Sequence, residues 1–250
     1  MRLSIDRRTG LVGGVVAVVA TAAAMFSLLP SNAGAATTVV LDGVSVAVPY
    51  GGTQVVTVNR TSGTYANVRF WVKADGRWTQ KFMTTNGRIG SGGLVARDQR
   101  KQGTSTTPMG TFSLMSTFGT HAKATTQKLS HRKITSESYW VQDNNSAYYN
   151  RYRLKSQGGF RYWLPASDVN SSERLAAYPT QYEYAVVIKY NYDNPVRYRG
   201  AGIFLHVNGS GATGGCVSAA PSPPSTTRST SATGSSSTGP DHRRVLTSGP

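Results

Sequence analysis

The sequence contains one cysteine, Cys216, and His206 stands ten residues before it in the segment His206-Val-Asn-Gly-Ser-Gly-Ala-Thr-Gly-Gly-Cys216. A thiol that attacks an amide carbonyl must become a thiolate, and the oxyanion that forms must meet hydrogen-bond donors. Imidazole titrates nearest neutrality, so His206 is the candidate base for Cys216. Gly214 and Gly215 allow the backbone to approach a substrate closely, and the amides of Gly214, Gly215 and Cys216 are the candidate oxyanion donors. The glycines of the intervening segment let the chain fold back on itself, although spacing alone does not establish the contact. A P-loop is excluded, because no Lys-Ser or Lys-Thr pair follows these glycines and no helix signal opens after them.

Other chemistries lack residues. His121, His131, His206 and His242 are scattered, no His-Glu-x-x-His occurs, and one cysteine cannot build a Cys-rich zinc site. No metal and no cofactor are therefore expected. The 11 acidic residues show no pair suited to carboxylate catalysis.

The elements that must position the pair read as strands. Thr37–Leu41 and Val44–Val48 are β-branched runs separated by Asp42-Gly43, a hairpin signal. Residues 54–58, 68–72, 78–83 and 110–116 read as further strands, with Asp75-Gly76 and Asn86-Gly87 as turns. Residues 183–190 and 201–207 give the strongest strand signals, with Asn194-Pro195 turning between them, so His206 is expected at a strand end. Ser171-Ser172-Glu173 opens a short helical turn that Pro179 stops. The fold class is mainly β, and 27 Gly and 13 Tyr suit such a domain.

The ends differ in composition from the middle. Residues 1–35 carry Arg2, Arg7 and Arg8, then an apolar stretch, then Ala33-Gly34-Ala35, the layout of a signal peptide. The mature chain is expected to hold an N-terminal β segment over 36–66, a catalytic domain over 67–218, and a structureless Ser, Thr and Pro-rich tail over 219–250. After cleavage no stable transmembrane segment is expected. A single thiol in an exported chain cannot form an internal disulfide, which leaves burial, external pairing or reactivity. The net charge of +16 favours anionic partners, and export favours anionic cell-wall polymers over nucleic acid, for which no binding motif is present.

Phe204-Leu205-His206 and Gly214-Gly215-Cys216-Val217-Ser218 resemble the His and Gly-Cys signature of the YkuD-type L,D-transpeptidases. Thr107-Pro108-Met109-Gly110-Thr111-Phe112 is similar to the Thr-Pro-x-Gly-x-Phe segment of that family. The chain looks like an actinobacterial-type variant with Gly-Gly-Cys in place of His-Gly-Cys, with a short loop after the histidine and little ordered structure after the cysteine. The resemblance implies an L,D-transpeptidase-like β-sandwich or barrel with few short helices. It implies an extracytoplasmic, secreted, cell-wall acyltransferase that cross-links peptidoglycan stem peptides through a thioester on Cys216, with His206 as general acid and base. Two alternatives stand beside it: a thioester-forming L,D-carboxypeptidase or amidase, and a non-catalytic basic cell-wall-binding protein. Pro108 and Gly110 are expected to set a turn into a strand. Tyr149 and Arg151, in an aromatic and basic run, are candidate substrate-binding residues, the alternative being a strand face on which Tyr packs against Arg stems.

Overall fold

A computed structural model describes residues 35–219 together with the backbone of 243–248. The expected signal peptide, apart from its last residue, lies outside the described residues, as does most of the expected tail. The fold is mainly β, with 42% strand and 3% helix.

The chain starts with β1 (Thr37–Leu41) and β2 (Val44–Val48), a hairpin in full register. Asp42 and Gly43 both take positive φ, 54° and 68°, which gives the turn the twist of the strands it joins. Strand β2 alternates buried and exposed residues, and Val44, Val46 and Val48 pack with Val55, Trp71 and Trp78. The Asp42 carboxylate pairs with Arg69, fixing the hairpin to the next sheet.

That sheet starts with β3 (Gln54–Arg60), β4 (Tyr65–Ala74) and β5 (Arg77–Arg88). Four consecutive residues of β3, 55–58, are buried, because both of its faces are covered. Val55 faces the hairpin, whereas Val56 and Val58 join a larger core with Val68, Ile89, Phe112, Ile188, Ile203 and Val217. The boundary expected at 66 and 67 falls inside β4, and of residues 36–66 only the β1 and β2 hairpin forms strands outside the main sheet. Asn86-Gly87 is also not a turn. Both residues lie in β5, where the β4 pairing shifts register, and a Cβ on Gly87 would come within 2.5 Å of a Val68 methyl.

The next elements are β6 (Leu94–Val95), β7 (Thr107–Pro108), β8 (Gly110–Gly119), β9 (His131–Lys133), β10 (Ser138–Trp140), β11 (Tyr152–Leu154) and β12 (Glu173–Arg174). They are followed by β13 (Tyr184–Ile188), β14 (Phe204–Val207), β15 (Val217–Ala219) and β16 (Arg243–Ser248). Lys155–Gln157 and Leu175–Ala177 form single 3-10 turns, the second of them in the segment where a helical turn was expected. The main sheet runs β13, β14, β15, β5, β4, β3, β16, β8, β9, and β8 also pairs with β13, which closes it into a barrel. Strands β10, β11 and β12 form a separate small sheet.

The tail expected to be structureless over 219–250 is ordered in two places. Ala219 ends β15, and β16 inserts between β3 (antiparallel) and β8 (parallel). Composition averaged over the Ser and Thr-rich stretch hid Arg-Arg-Val-Leu-Thr-Ser, six residues without Gly or Pro that can satisfy the open backbone groups of two strands.

A second core lies between the barrel wall and the small sheet. Phe118, Ala185, Val187 and Phe204 meet Trp140, Tyr149, Leu175, Tyr182 and Cys216 there. The candidate nucleophile is thus built into packed structure.

Candidate active site

Strand β14 lies between β13 and β15, so His206 faces Ala185 on one side and Ser218 on the other. Strands β14 and β15 are parallel, with Leu205 beside Val217. The glycine-containing loop between them must therefore turn back sharply, and it is fastened on the way. Thr213 donates its N–H to Ile89 O at 3.1 Å, its carbonyl accepts Ser91 N at 2.9 Å, and Ser218 Oγ bonds Asn208 Oδ1 at 2.6 Å.

Two threonines hold the turn before the candidate nucleophile. Thr107 Oγ1 accepts Gly90 N at 2.8 Å and shares its proton between Gly215 O at 2.8 Å and Cys216 O at 3.1 Å. Thr213 Oγ1 donates to Cys216 O at 2.6 Å. Gly215 has φ +124°, and a Cβ there would lie 2.8 Å from both Arg100 Nη2 and Thr106 O, so glycine is required. Gly214 meets nothing within 4 Å at the same test.

Cys216 is 7% exposed. Its Sγ donates to Gly202 O and accepts Phe204 N, each at 3.3 Å, contacts that suit a protonated resting thiol. His206 places Nδ1 2.7 Å from Val207 O. A carbonyl only accepts, so Nδ1 carries the proton and Nε2 is left as the base. Burial lowers the His206 pKa below its ordinary value, opposed by the bond to Val207, so the ring is neutral near pH 7. The edge of Tyr182 packs on the imidazole, with centroids 5.5 Å apart.

His206 and Cys216 line one cavity of about 400 Å³, with Gly214, Arg100, Glu173 and Tyr182. Arg100 is 5% exposed and donates Nε to Thr106 O at 2.8 Å and Nη1 to Arg199 O at 3.1 Å. Burial lowers its pKa, while Tyr190, Cys216 and Tyr149 oppose the shift. Tyr182 donates its hydroxyl to Glu173, and Gln142 Nε2 donates to the other carboxylate oxygen at 3.2 Å.

Of the candidate oxyanion donors, Gly214 and Cys216 line the cavity, whereas the Gly215 amide turns to Thr213 Oγ1 at 3.3 Å. The candidate substrate-binding residues are not brought to the cavity lining. Tyr149 is buried, with its hydroxyl donating to Gln102 Oε1 at 2.7 Å and accepting Gly200 N at 3.0 Å, and burial pushes its pKa up to about 12. Arg151 stacks on Tyr192 at 4.0 Å and donates to Asn150 O. Their run is a packed Tyr and Arg surface, as Arg153 over Tyr148 at 3.4 Å also shows.

Sequence reasoning missed four contributors. Thr107 lay in a recognised motif, yet its hydroxyl rather than the Pro and Gly turn holds the backbone at Gly215 and Cys216. Glu173 had been read as the start of a helical turn, and Arg100 stands in Arg97-Asp98-Gln99-Arg100-Lys101, which looks like ordinary surface. The Val207 carbonyl carries no side-chain signal at all. Among the described residues, no group of three or more His, Cys, Asp or Glu could hold a metal ion.

A family model of the L,D-transpeptidase catalytic domain, YkuD, matches residues 53–223. The chain belongs to the L,D-transpeptidase catalytic-domain family. The match starts one residue before β3 and passes through β15, so it takes in every strand of the main sheet except β16, together with the cavity lining and both His206 and Cys216. The L,D-transpeptidase family typically comprises extracytoplasmic acyltransferases acting in the cell wall. No curated protein and no solved structure matches the chain significantly. Among the described residues, no helix is long and apolar enough to cross a membrane.

Proposed function

We propose that this protein is an exported L,D-transpeptidase that cross-links peptidoglycan stem peptides through a thioester on Cys216. The observation that carries this reading is a buried thiol sharing one cavity with a neutral imidazole whose tautomer the Val207 carbonyl fixes. His206 Nε2 takes the thiol proton, and the sulfur adds to the carbonyl of the third stem residue. The amides of Gly214 and Cys216, two residues that line the cavity, are assigned to steady the oxyanion, a role in which loss of one donor costs about a hundredfold or more. The carbon–nitrogen bond to the terminal D-alanine then breaks, and the imidazolium returns its proton to the leaving amine. The amine of a second stem attacks the thioester, gives its proton through His206 to the departing sulfur, and leaves an amide cross-link.

Resolution of the same thioester by water would make the enzyme a carboxypeptidase. Incubating the purified protein with a stem tetrapeptide, with and without an acceptor amine, separates the outcomes. Released D-alanine together with an amine-dependent dimer is expected, and Cys216→Ala yields neither. D-Alanine release without dimer would replace transfer by hydrolysis, and turnover by Cys216→Ala would end the thioester reading.

A further inference from the structure

Glu173 is a carboxyl group in the nucleophile's cavity that the chemistry of Cys216 and His206 leaves unused. It lies deep in the domain yet stays partly open to solvent. Its two partners, Tyr182 and Gln142, are neutral donors, so the charge of the carboxylate is solvated but not balanced. The chain has 27 Lys and Arg against 11 acidic residues. Even so, among the described residues no cation forms an ion pair with Glu173. Among the other buried or half-buried acids, Asp42 pairs with Arg69 and Asp143 with Arg161 Nη2 at 2.6 Å, while Glu137 and Asp168, like Glu173, form no ion pair among the described residues but do not line the cavity. Those pairs secure loops, whereas Glu173 faces a cavity into which a substrate must come.

Two contacts tie Glu173 to the reacting atoms. Tyr182, its hydrogen-bond donor, packs edge-on against His206. Gln142 approaches Gly202 so closely that a Cβ there would lie 3.2 Å from its Nε2, and the Gly202 carbonyl accepts the Cys216 thiol. Of the two substrates of a transpeptidase, one is an amine that arrives protonated and must lose a proton before it can attack.

Resting on the transpeptidase reading, we infer that Glu173 receives the acceptor ammonium and takes one of its protons, so that the acyl group on Cys216 passes to an amine in preference to water. The carboxylate and the ammonium become a carboxylic acid and a free amine. The nitrogen then adds to the thioester carbonyl, its second proton moves to His206, the carbon–sulfur bond breaks, and His206 protonates the sulfur. Glu173 finally releases its proton to solvent, which offsets the proton that the amino group of the departed D-alanine takes up. Burial pushes the Glu173 pKa up to about 7, with the Tyr182 bond opposing, so the group takes a proton near neutrality far more readily than an exposed carboxylate.

The test follows acylation and transfer separately in the full-length protein, using a stem tetrapeptide as donor and a stem peptide with a free side-chain amine as acceptor. Glu173→Gln is expected to slow transfer about a hundredfold more than it slows acylation, a usual loss for a general base, and Glu173→Asp should restore part of it. Equal slowing of both steps, or unaltered partition between amine and water, would overturn the inference. In the wild type, the acceptor should be competed by a second free-amine peptide and not by its N-acetylated form, which checks the same site without a variant. Equal competition by the acetylated peptide would also overturn it. Absence of Cys216 acylation in the wild type would instead contradict the proposed function and remove this inference with it.

Discussion

At the scale of single residues, the site is decided by backbone geometry as much as by reactive side chains. Gly214 and Gly215 look alike in the sequence, yet only Gly215 has positive φ and a guanidinium and a carbonyl against it. Gly215→Ala should therefore cost about 1–3 kcal/mol and slow acylation, whereas Gly214→Ala should change stability by less than about 0.5 kcal/mol. Chemical denaturation of the two variants checks this, and equal effects would contradict it. Glu173 makes a second prediction through its raised pKa. Below pH 4.5 both folded and unfolded chains hold the proton; from 4.5 to about 7 the folded chain binds more, so stability falls as pH rises. Above that window the full cost stands, on the order of 3 kcal/mol at most. Glu173→Gln should thus melt higher than wild type at pH 8 and level with it at pH 4, and a gain of equal size at both pH values would contradict the assignment. Cys216 and His206 were picked out as candidates from residue type and spacing, and they line one cavity. The Val207 carbonyl and the burial of Arg100 were not legible, because neither leaves a mark in the chain before it folds.

At the scale of elements, periodicity identified the strands and misjudged where they end. The hairpin of β1 and β2 was plain in its alternation and its Asp-Gly turn. Gly87 looked like a turn because glycine marks turns and bulges alike, and only the pairing of β5 with β4 separates the two. Strand β16 was hidden by the composition around it, and it pairs along its length with β3 and over five residues with β8. Removing residues 243–250 would open both strand edges in the barrel wall. Loss of those pairs should cost several kcal/mol and lower Tm by roughly 10 °C or more, with exposed edges promoting aggregation. A truncated protein that melts cooperatively at the wild-type temperature would show that β16 contributes nothing to the closed sheet.

At the scale of the whole molecule, the fold class followed from the abundance of β-branched and aromatic residues, and the family followed from two short motifs far apart in the chain. What joins those motifs is tertiary: Thr107, from the first, holds the carbonyls of Gly215 and Cys216, in the second. A positive chain of net charge +16 suits work among anionic wall polymers, consistent with the proposed export. All of this converges on one buried thiol that shares its cavity with a neutral imidazole. Carbapenems carry a strained amide that an activated thiol opens without a leaving group, so the adduct stays bound. Intact-protein mass spectrometry after incubation with a carbapenem should show one adduct on the wild type and none on Cys216→Ala. An unmodified wild type, or an adduct on Cys216→Ala, would contradict the central claim that Cys216 is the nucleophile.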